Sequence, residues 1–347
     1  LCYKKLSMSK KNSNVILKQE FKNYKDLSNI YISLSRQLNF FKKKLFLIAV
    51  SGGPDSLALA ALAKAYADNN NCKIHYVLVD HNLRKNSATE ALAVKKLLKK
   101  HQITLNILKN KKLINKNIQG QARKIRYDLI STFCKKRKIK TIFTAHNLED
   151  QVETFFIRLS RGSGLQGLSS MKQKSKIGND ITLVRPLLEF KKKSLIKISK
   201  IIFGKYFKDP SNDNDKYLRT RIRKFRQKLE KSGINYDQIF RSIKNLASSR
   251  DTLNSYFDKI YKELIIYKNR QLLISIKKFE FLNREIKIKL LSKSFKELTK
   301  TYYSIRSKKI INLINQLETK ADLKLTLAGC LVIKEKNHII IKKHKKK

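Results

Sequence analysis

The stretch Ser51-Gly52-Gly53-Pro54-Asp55-Ser56 lies between an apolar run at 45–50 and an alanine- and leucine-rich run at 57–63. This order predicts a buried strand, a glycine turn and a helix. A helix N-terminus offers N–H groups and a partial positive charge to an anion such as phosphate. The two glycines let that anion approach the backbone closely, and the proline suits the first helical turn. The stretch therefore predicts a phosphate-binding loop or a ligand-free turn, and its spacing alone does not choose between them.

Strand and helix patterns alternate on either side of this stretch. Strands are predicted at 45–50, 74–79, 103–108 and 140–145, and helices at 54–69, 87–101, 119–137 and 148–161. This alternation predicts an α/β fold with a doubly wound, mainly parallel sheet. Such sheets bind ligands beyond the carboxyl ends of their strands, near a switch in strand order. Three polar clusters follow predicted strands in this way, at 51–56, at Asp80-His81 and at 146–153.

The remainder of the chain is expected to be helical, with a β-containing end. Apolar residues recur at helical spacing between Phe21 and Leu34, helical patterns run from about 219 to 266, and 268–320 is predicted to be mostly helical. Further strands are predicted at 181–184, 323–327, 330–334 and 338–342. We therefore predict four segments: an N-terminal helical extension (1–42), an α/β domain (43–215), a helical region (216–320) and a small β-rich piece with a basic tail (321–347).

The charge of the chain points to a polyanionic partner. The 79 Lys and Arg residues outnumber the 26 Asp and Glu residues, which gives a net charge of +53. Nucleic acid is the first candidate partner and an anionic membrane surface the second. Lysine-rich composition from AT-rich codon usage is an alternative explanation that needs no function.

Composition also indicates the compartment. No run approaches 18 consecutive apolar residues, so no transmembrane helix is expected, and polar residues at 10–14 interrupt any signal-peptide core. The cysteines, Cys2, Cys72, Cys134 and Cys330, are too scattered for a disulfide framework or a zinc site. These features predict a cytoplasmic protein.

Acidic residues follow the fourth predicted strand. Asp150 and Glu153 lie three apart on a helix and share a face, and His146 stands at the strand end. Carboxylates in this position suit a divalent metal, a substrate ammonium or a proton from an attacking amine. The alternative is a helix cap formed by Asn147 with Asp150.

Basic residues and a second carboxylate are further candidates. Arg123 and Arg126 lie one turn apart and suit a phosphate or a carboxylate, with a solvated basic helix face as the alternative. Asp80 suits a nucleotide ribose or a metal. His81 can equally be a structural histidine.

Taken in order, these residues resemble the motifs of a known enzyme family. The stretch at 51–56 resembles the SGGxDS signature of the N-type (PP-loop) ATP pyrophosphatases, and the chain as a whole resembles the tRNA(Ile)-lysidine synthase family within that superfamily. The matching residues lie at 51–56, 80–90, 121–127, 144–154, 158–168, 185–188, 209–212 and 219–223. The glycine-rich stretch at 161–168 best separates this family from other pyrophosphatases. Asn147, Glu149 and Thr220 depart from its usual histidine, aspartate and asparagine.

The resemblance implies a ligase that modifies the wobble cytidine (position 34) of tRNA(Ile) with a CAU anticodon. ATP adenylates O2 of the cytosine and releases pyrophosphate. The side-chain amine of free L-lysine then attacks C2, AMP leaves, and decoding changes from AUG to AUA. ATP and Mg²⁺ are the implied cofactors, tRNA(Ile) and L-lysine the implied partners, and no membrane is involved. Whether the chain forms a homodimer is left open.

The resemblance also implies roles for individual residues. Ser51, Gly52, Gly53, Pro54, Asp55 and Ser56 would bind ATP, with Asp80 beside them, and Asp55 would carry Mg²⁺. The implied catalytic residues are Asp55, His146, Asp150, Glu153 and Arg126. The implied lysine-binding residues are Arg123, Arg126, Asp150 and Glu153, and the implied tRNA contacts are Arg161, Arg219, Arg221 and Arg223.

Two alternatives to this function are another tRNA-modifying enzyme and an RNA-binding protein without catalysis. A PP-loop tRNA thiolase is the nearest enzyme, although those that use a CxxC motif or an iron–sulfur cluster need cysteines that this chain lacks near the site. A basic RNA-binding protein without catalysis would explain the charge, but not the ordered carboxylates at the strand ends.

Overall fold

The computed structural model describes residues 25–42, 44–84, 86–112, 114, 118–178, 180–208, 214–299 and 305–344. The start of the predicted N-terminal helix, Cys2 and the motif at 209–212 lie outside these residues. The chain divides into two compact units, Leu1–Ala247 and Ser248–Lys347. The boundaries of the four predicted segments stay predictions.

A six-stranded sheet forms the centre of the first unit. Its strands are β1 (Leu45–Ala49), β2 (Lys73–Asp80), β3 (Leu105–Lys109), β4 (Thr141–Phe143), β5 (Lys174–Ile177) and β6 (Ile181–Val184). The order across the sheet is β3-β2-β1-β4-β6-β5, and all neighbours are parallel except β5, which is antiparallel to β6. The predicted doubly wound, mainly parallel sheet is therefore confirmed. Strand β5 was not predicted, and β4 is shorter than the predicted strand at 140–145.

Helices cover both faces of this sheet. They are α1 (Lys25–Asn39), α2 (Pro54–Asn69), α3 (Ser87–Lys100), α4 (Ile118–Lys136), α5 (Leu148–Leu159), α6 (Leu165–Leu168), α7 (Lys192–Phe203), α8 (Leu218–Lys231) and α9 (Tyr236–Leu264), which contains the division at residue 247. Helix α2 is buried over residues 56–63, and it packs with α1, α3 and α7 against one face. Helix α4 covers the other face through Ile130 and Cys134.

The second unit contains a five-stranded antiparallel sheet. Its strands are β7 (Ile265–Lys268), β8 (Gln271–Ser275), β9 (Leu323–Leu327), β10 (Cys330–Glu335) and β11 (His338–Lys343), in the order β7-β8-β11-β10-β9. Its helices are α10 (Ile276–Glu280), α11 (Arg284–Thr299) and α12 (Ser307–Thr319), and the last two share an apolar core with the sheet. The predicted C-terminal β structure is confirmed.

The prediction that 268–320 is mostly helical was wrong for its first residues. Strands β7 and β8 form a hairpin that adds two strands to the C-terminal sheet. Its two turn residues, Asn269 and Arg270, have φ values of 51° and 60°, as a type I′ hairpin turn requires. No glycine marks this turn, so the sequence lacked the usual hairpin signal. In the part of the chain that the structure describes, no helix is long and apolar enough to cross a membrane.

Candidate active site

The candidate site lies where the strand order of the first sheet reverses. From β1 the chain proceeds outward through β2 and β3, and it then returns to place β4 on the other side of β1. The segments that leave β1 and β4 therefore border one crevice at the carboxyl ends of the strands, the position at which doubly wound sheets bind ligands. The first of these segments is the phosphate loop, residues 51–56, and the second carries His146.

The phosphate loop is closed by its own hydroxyl groups. The Ser56 hydroxyl accepts a hydrogen bond from the Ser51 N–H (3.1 Å) and donates one to the Gly53 carbonyl (2.9 Å). The Gly52 carbonyl accepts from the Phe207 N–H at 3.0 Å. Gly52 has a φ of +85°, and a Cβ atom there would stand 2.6 Å from Cγ2 of Val94. Glycine is therefore required at position 52 for both its backbone conformation and its lack of a side chain.

The loop fits a nucleotide phosphate with a cation. No side chain caps the N-terminus of α2, so an anion can take the place of the cap. Oδ1 of Asp55 is buried and has no hydrogen-bond partner among the described residues. Burial raises the pKa of Asp55 to about 7; Asp150 and Glu149 also raise it, whereas Lys192 and Asn147 lower it. A bound cation would stabilise the carboxylate. The described residues form no cluster of three or more His, Cys, Asp or Glu that would hold a metal, so Mg²⁺ would need phosphate oxygens in addition to Asp55.

His146 is a neutral imidazole in this crevice. Its Nδ1 lies 3.0 Å from the Thr144 hydroxyl oxygen. Burial lowers the pKa of His146 to about 4; Asp150 opposes this shift, whereas Arg185, Arg123 and Arg219 add to it. The ring is therefore uncharged at neutral pH and can take part in hydrogen bonds as a neutral group.

The carboxylate of Asp150 takes part in a helix cap and also faces Arg223. Its Oδ2 accepts a hydrogen bond from the Asn147 N–H (3.1 Å), and its own N–H donates to the Asn147 side chain (2.9 Å). The predicted helix cap is therefore confirmed: Asn147 and Asp150 cap the first turn of α5. The cap uses one carboxylate oxygen, and the other lies 3.8 Å from Nη2 of Arg223. Asp150 thus keeps an oxygen that a substrate cation can approach.

Glu153 is held by arginines of α8. Its side chain is 3% exposed, Arg223 donates to both carboxylate oxygens, and Nε of Arg219 lies 3.2 Å from Oε2. Burial raises the pKa of Glu153, and the hydrogen bonds from Arg223 act in the opposite direction. Arg219 and Arg223 therefore engage this buried carboxylate while their side chains remain 42% and 30% exposed, and their predicted contact with tRNA stays a prediction. Of the three arginines predicted on α8, Arg221 is exposed.

Glu153→Ala is expected to lower the free energy of unfolding by about 3 kcal/mol, because removing one partner of a buried ion pair leaves the other charges uncompensated. Urea unfolding measures this change. The matched control is Glu230→Ala, which breaks only the exposed pair with Arg226 on the same helix and should cost less than about 1 kcal/mol. Equal losses for the two variants would contradict this assignment of Glu153.

Arg126 and His81 lie together beside the crevice. Nε and Nη2 of Arg126 are 3.4 and 3.3 Å from Nε2 of His81. Burial and the neighbouring Arg126 lower the pKa of His81 to about 4, and Asp80 opposes them, so the ring is neutral and can accept from the guanidinium. Asp80 is buried and accepts the N–H of Asn82, which stabilises the turn after β2. Arg123 is exposed and stacks over Tyr127, one turn along α4.

Two arginines that were not assigned roles support the glycine-rich stretch and its surroundings. Arg158 donates to the carbonyls of Gly167 (2.8 Å) and Ser170 (2.9 Å). The buried Arg185 donates to the Lys172 carbonyl and to the Ser175 hydroxyl. Arg161, a predicted tRNA contact, is exposed at the start of the loop that Arg158 holds.

Comparisons with known proteins identify the family. Residues 22–229 match the model of the PP-loop domain. A tRNA(Ile)-lysidine synthase of Wolbachia sp. subsp. Brugia malayi is 33% identical over 85% of this chain and 69% of that protein. The corresponding protein of Wolbachia pipientis wMel is 34% identical over the same shares. The chain belongs to the tRNA(Ile)-lysidine synthase family. The predicted family and the predicted class, a ligase that modifies tRNA, are thereby confirmed.

The fold of this lysidine synthase family member is shared with a solved structure of a different enzyme. The U34-tRNA thiolase NcsA from Methanococcus maripaludis superposes with a TM-score of 0.54 at 18% identity, covering 64% of this chain and 80% of the thiolase. At this identity the similarity concerns the fold alone.

The departures from the lysidine synthase motifs have structural roles in this chain. Asn147 caps α5, and Glu149 accepts the N–H of Lys192 at 2.9 Å, which anchors the start of α7. Thr220 is buried in α8. The residues at 147 and 149 thus contribute hydrogen bonds at the starts of α5 and α7.

Proposed function

We propose that this chain joins L-lysine to C2 of the wobble cytidine in the CAU anticodon of tRNA(Ile), using ATP and releasing AMP and pyrophosphate. The observation that carries the proposal is the crevice between β1 and β4. It brings a phosphate loop with a buried carboxylate, Asp55, whose Oδ1 has no hydrogen-bond partner among the described residues, together with the neutral His146 and with Asp150. A protein that only bound RNA would not need a buried carboxylate of this kind.

In the first step the cytosine O2 attacks the α-phosphate of ATP, and pyrophosphate leaves. The N–H groups at the start of α2 and the hydroxyl of Ser51 would hold the phosphates. Asp55 would hold Mg²⁺, which neutralises charge on the departing pyrophosphate when it is bound. Asp80 would lie on the ribose side of the nucleotide.

In the second step the side-chain amine of lysine attacks C2, the C2–O2 bond breaks, and AMP leaves. The amine has an ordinary pKa near 10.4 and must lose a proton before it attacks. We assign Asp150 to bind its ammonium and to receive the proton, with the uncharged His146 in the same crevice. Glu153 is the weaker candidate for ammonium binding because two arginines already engage it. Arg126, with Arg123 as second choice, would bind the lysine carboxylate.

The proposal also covers the tRNA contacts, the cellular compartment and the oligomeric state. The exposed Arg161 and Arg221 are assigned to tRNA phosphates, and the net charge of +53 favours RNA throughout. A free amino acid and tRNA as substrates imply a cytoplasmic enzyme. A homodimer is compatible with this reaction but not required by it.

ATP–pyrophosphate exchange tests the proposal. We expect exchange that depends on a tRNA with a CAU anticodon and that does not require lysine, since adenylation precedes lysine attack. Exchange without tRNA, or none in the presence of the correct tRNA, would contradict the proposed order of steps.

Asp150→Asn is expected to raise the KM for lysine on the order of 10²-fold, since a charged hydrogen bond is lost while the amide can keep the helix cap. Pyrophosphate release in the absence of lysine should change little. Steady-state kinetics with varied lysine measures the split. Asp237→Asn is the control, because Asp237 is also a first-turn aspartate but lies exposed in a pair with Lys191. Equal effects of both variants on KM would refute the assignment.

A tRNA thiolase is less compatible with the structure. Burial raises the pKa of Cys72 to about 11 and that of Cys134 to about 12, which suppresses the thiolate that sulfur transfer needs. Cys330 lies in the core of the second unit.

A further inference from the structure

Helix α8 has two basic faces that differ in their partners. The inner face holds Arg219 and Arg223 against Glu153, and Arg226 against Glu149. The outer face carries Arg221, Phe225 and Lys228, which follow one another at four- and three-residue spacing and form one exposed stripe. We call these three residues the outer stripe.

Phe225 is not needed for the core of the unit. It is 50% exposed, whereas Leu229, one turn along the same side of the helix, is buried in the cluster formed with α5 and α9. Half of the ring therefore stays accessible between two cations, where a flat partner can stack on it.

The charges around Phe225 define the class of that partner. Glu230 is the only acidic residue of α8, and it pairs with Arg226. Lys224 pairs with Asp215 and does not balance the outer stripe. A partner that matches the stripe must present negative charges and flat apolar surfaces together, and unpaired nucleotides do so.

The stripe is close enough to the crevice to act on the same substrate. The inner face of α8 touches Glu153 on α5, one turn from Asp150. A helix is about 10 Å across, a distance that a few nucleotides of an unstacked loop span. Single-stranded RNA loops are recognised in this way, with splayed bases stacked on aromatic side chains.

We propose that the outer stripe binds the anticodon-loop nucleotides that flank the target cytidine, with one base stacked on Phe225 and phosphates on Arg221 and Lys228. This inference rests on the proposed function for the identity of the RNA. Phe225 would position the loop and would take no part in the chemistry.

The absence of tryptophan from the chain provides a direct probe. Phe225→Trp introduces a single fluorophore at the stripe. The emission of this tryptophan should fall on titration with an anticodon stem-loop that carries CAU. Phe281→Trp, which replaces a residue that is 85% exposed in the second unit, is the control and should not respond to the stem-loop.

Kinetics separate stacking from simple apolar contact. Phe225→Ala and Phe225→Leu should each raise the KM for tRNA about tenfold, with kcat within about twofold, because one stacked base is lost. The unfolding midpoint of Phe225→Leu should change little, because the variant keeps an apolar side chain at this half-exposed position.

The inference fails if Phe225→Leu keeps the original KM, or if the two tryptophan variants respond equally to the stem-loop. That outcome leaves the proposed function intact as long as the unsubstituted protein incorporates lysine. If the unsubstituted protein incorporates none, the proposed function fails, and a tryptophan response confined to position 225 would still support the stripe as an RNA site.

Discussion

Asp55→Asn is expected to slow tRNA-dependent pyrophosphate release about a thousandfold, since a metal-binding carboxylate contributes several kcal/mol to the transition state. The amide has nearly the same shape but cannot supply the negative charge that Mg²⁺ needs. The affinity for tRNA should stay nearly unchanged because Asp55 lies in the phosphate loop and not on the basic surfaces assigned to RNA.

Asp55→Asn is not expected to destabilise the protein. Oδ1 of Asp55 has no hydrogen-bond partner among the described residues, so no native bond to that atom is lost, and the thermal midpoint should not fall. Asp68→Asn, at the other end of the same helix, removes an exposed pair with Lys64 and should retain activity. Normal turnover of Asp55→Asn would rule out its assigned role.

Gly52→Ala is expected to lower the free energy of unfolding by about 3 kcal/mol, from the sum of a left-handed backbone and an overpacked contact. The new Cβ would lie 2.6 Å from Cγ2 of Val94, a branched side chain that cannot swing away easily. Relief of this contact by backbone movement would also disturb the Gly52 carbonyl that Phe207 binds. ATP-dependent activity should therefore fall together with stability.

Further variants separate the causes. Gly53→Ala is the matched control for stability, because its nearest neighbour would be Oγ of Ser51 at 3.7 Å and its φ is −70°. Val94→Ala provides the second background: added to it, Gly52→Ala should cost only the backbone part, because the overpacked contact with the buried Val94 is then absent. Denaturant unfolding of these proteins measures each contribution. Equal stability of Gly52→Ala and Gly53→Ala would contradict the geometry described for this loop.

Local sequence patterns were sufficient to predict most of the strands and helices of the first unit. The predicted helix at 54–69 and the predicted strand at 181–184 have the observed bounds. Alternation of apolar runs with helical periods, together with the glycines of the phosphate loop, carries this information within short windows. The position of the crevice followed from the general rule for parallel sheets.

The features that were missed depend on contacts between distant residues. The hairpin turn at Ala328-Gly329 contains a glycine and was expected, but the turn at Asn269-Arg270 reaches the same left-handed conformation without one. The sheet stabilises that turn through its pairing with β11, far along the chain. Likewise, Arg219 and Arg223 were indistinguishable by sequence from solvent-exposed cations such as Arg221. Their engagement with Glu153 is decided by the packing of α8 on α5.

The most direct test of the proposed reaction is mass spectrometry of nucleosides from a CAU-bearing tRNA(Ile) transcript after incubation with the protein, ATP and isotope-labelled lysine. The reaction predicts that the wobble cytidine gains the mass of one lysine less water, that the label is retained, and that omission of ATP abolishes the product. An unmodified cytidine, or a nucleoside heavier by the mass of a sulfur exchange, would contradict it.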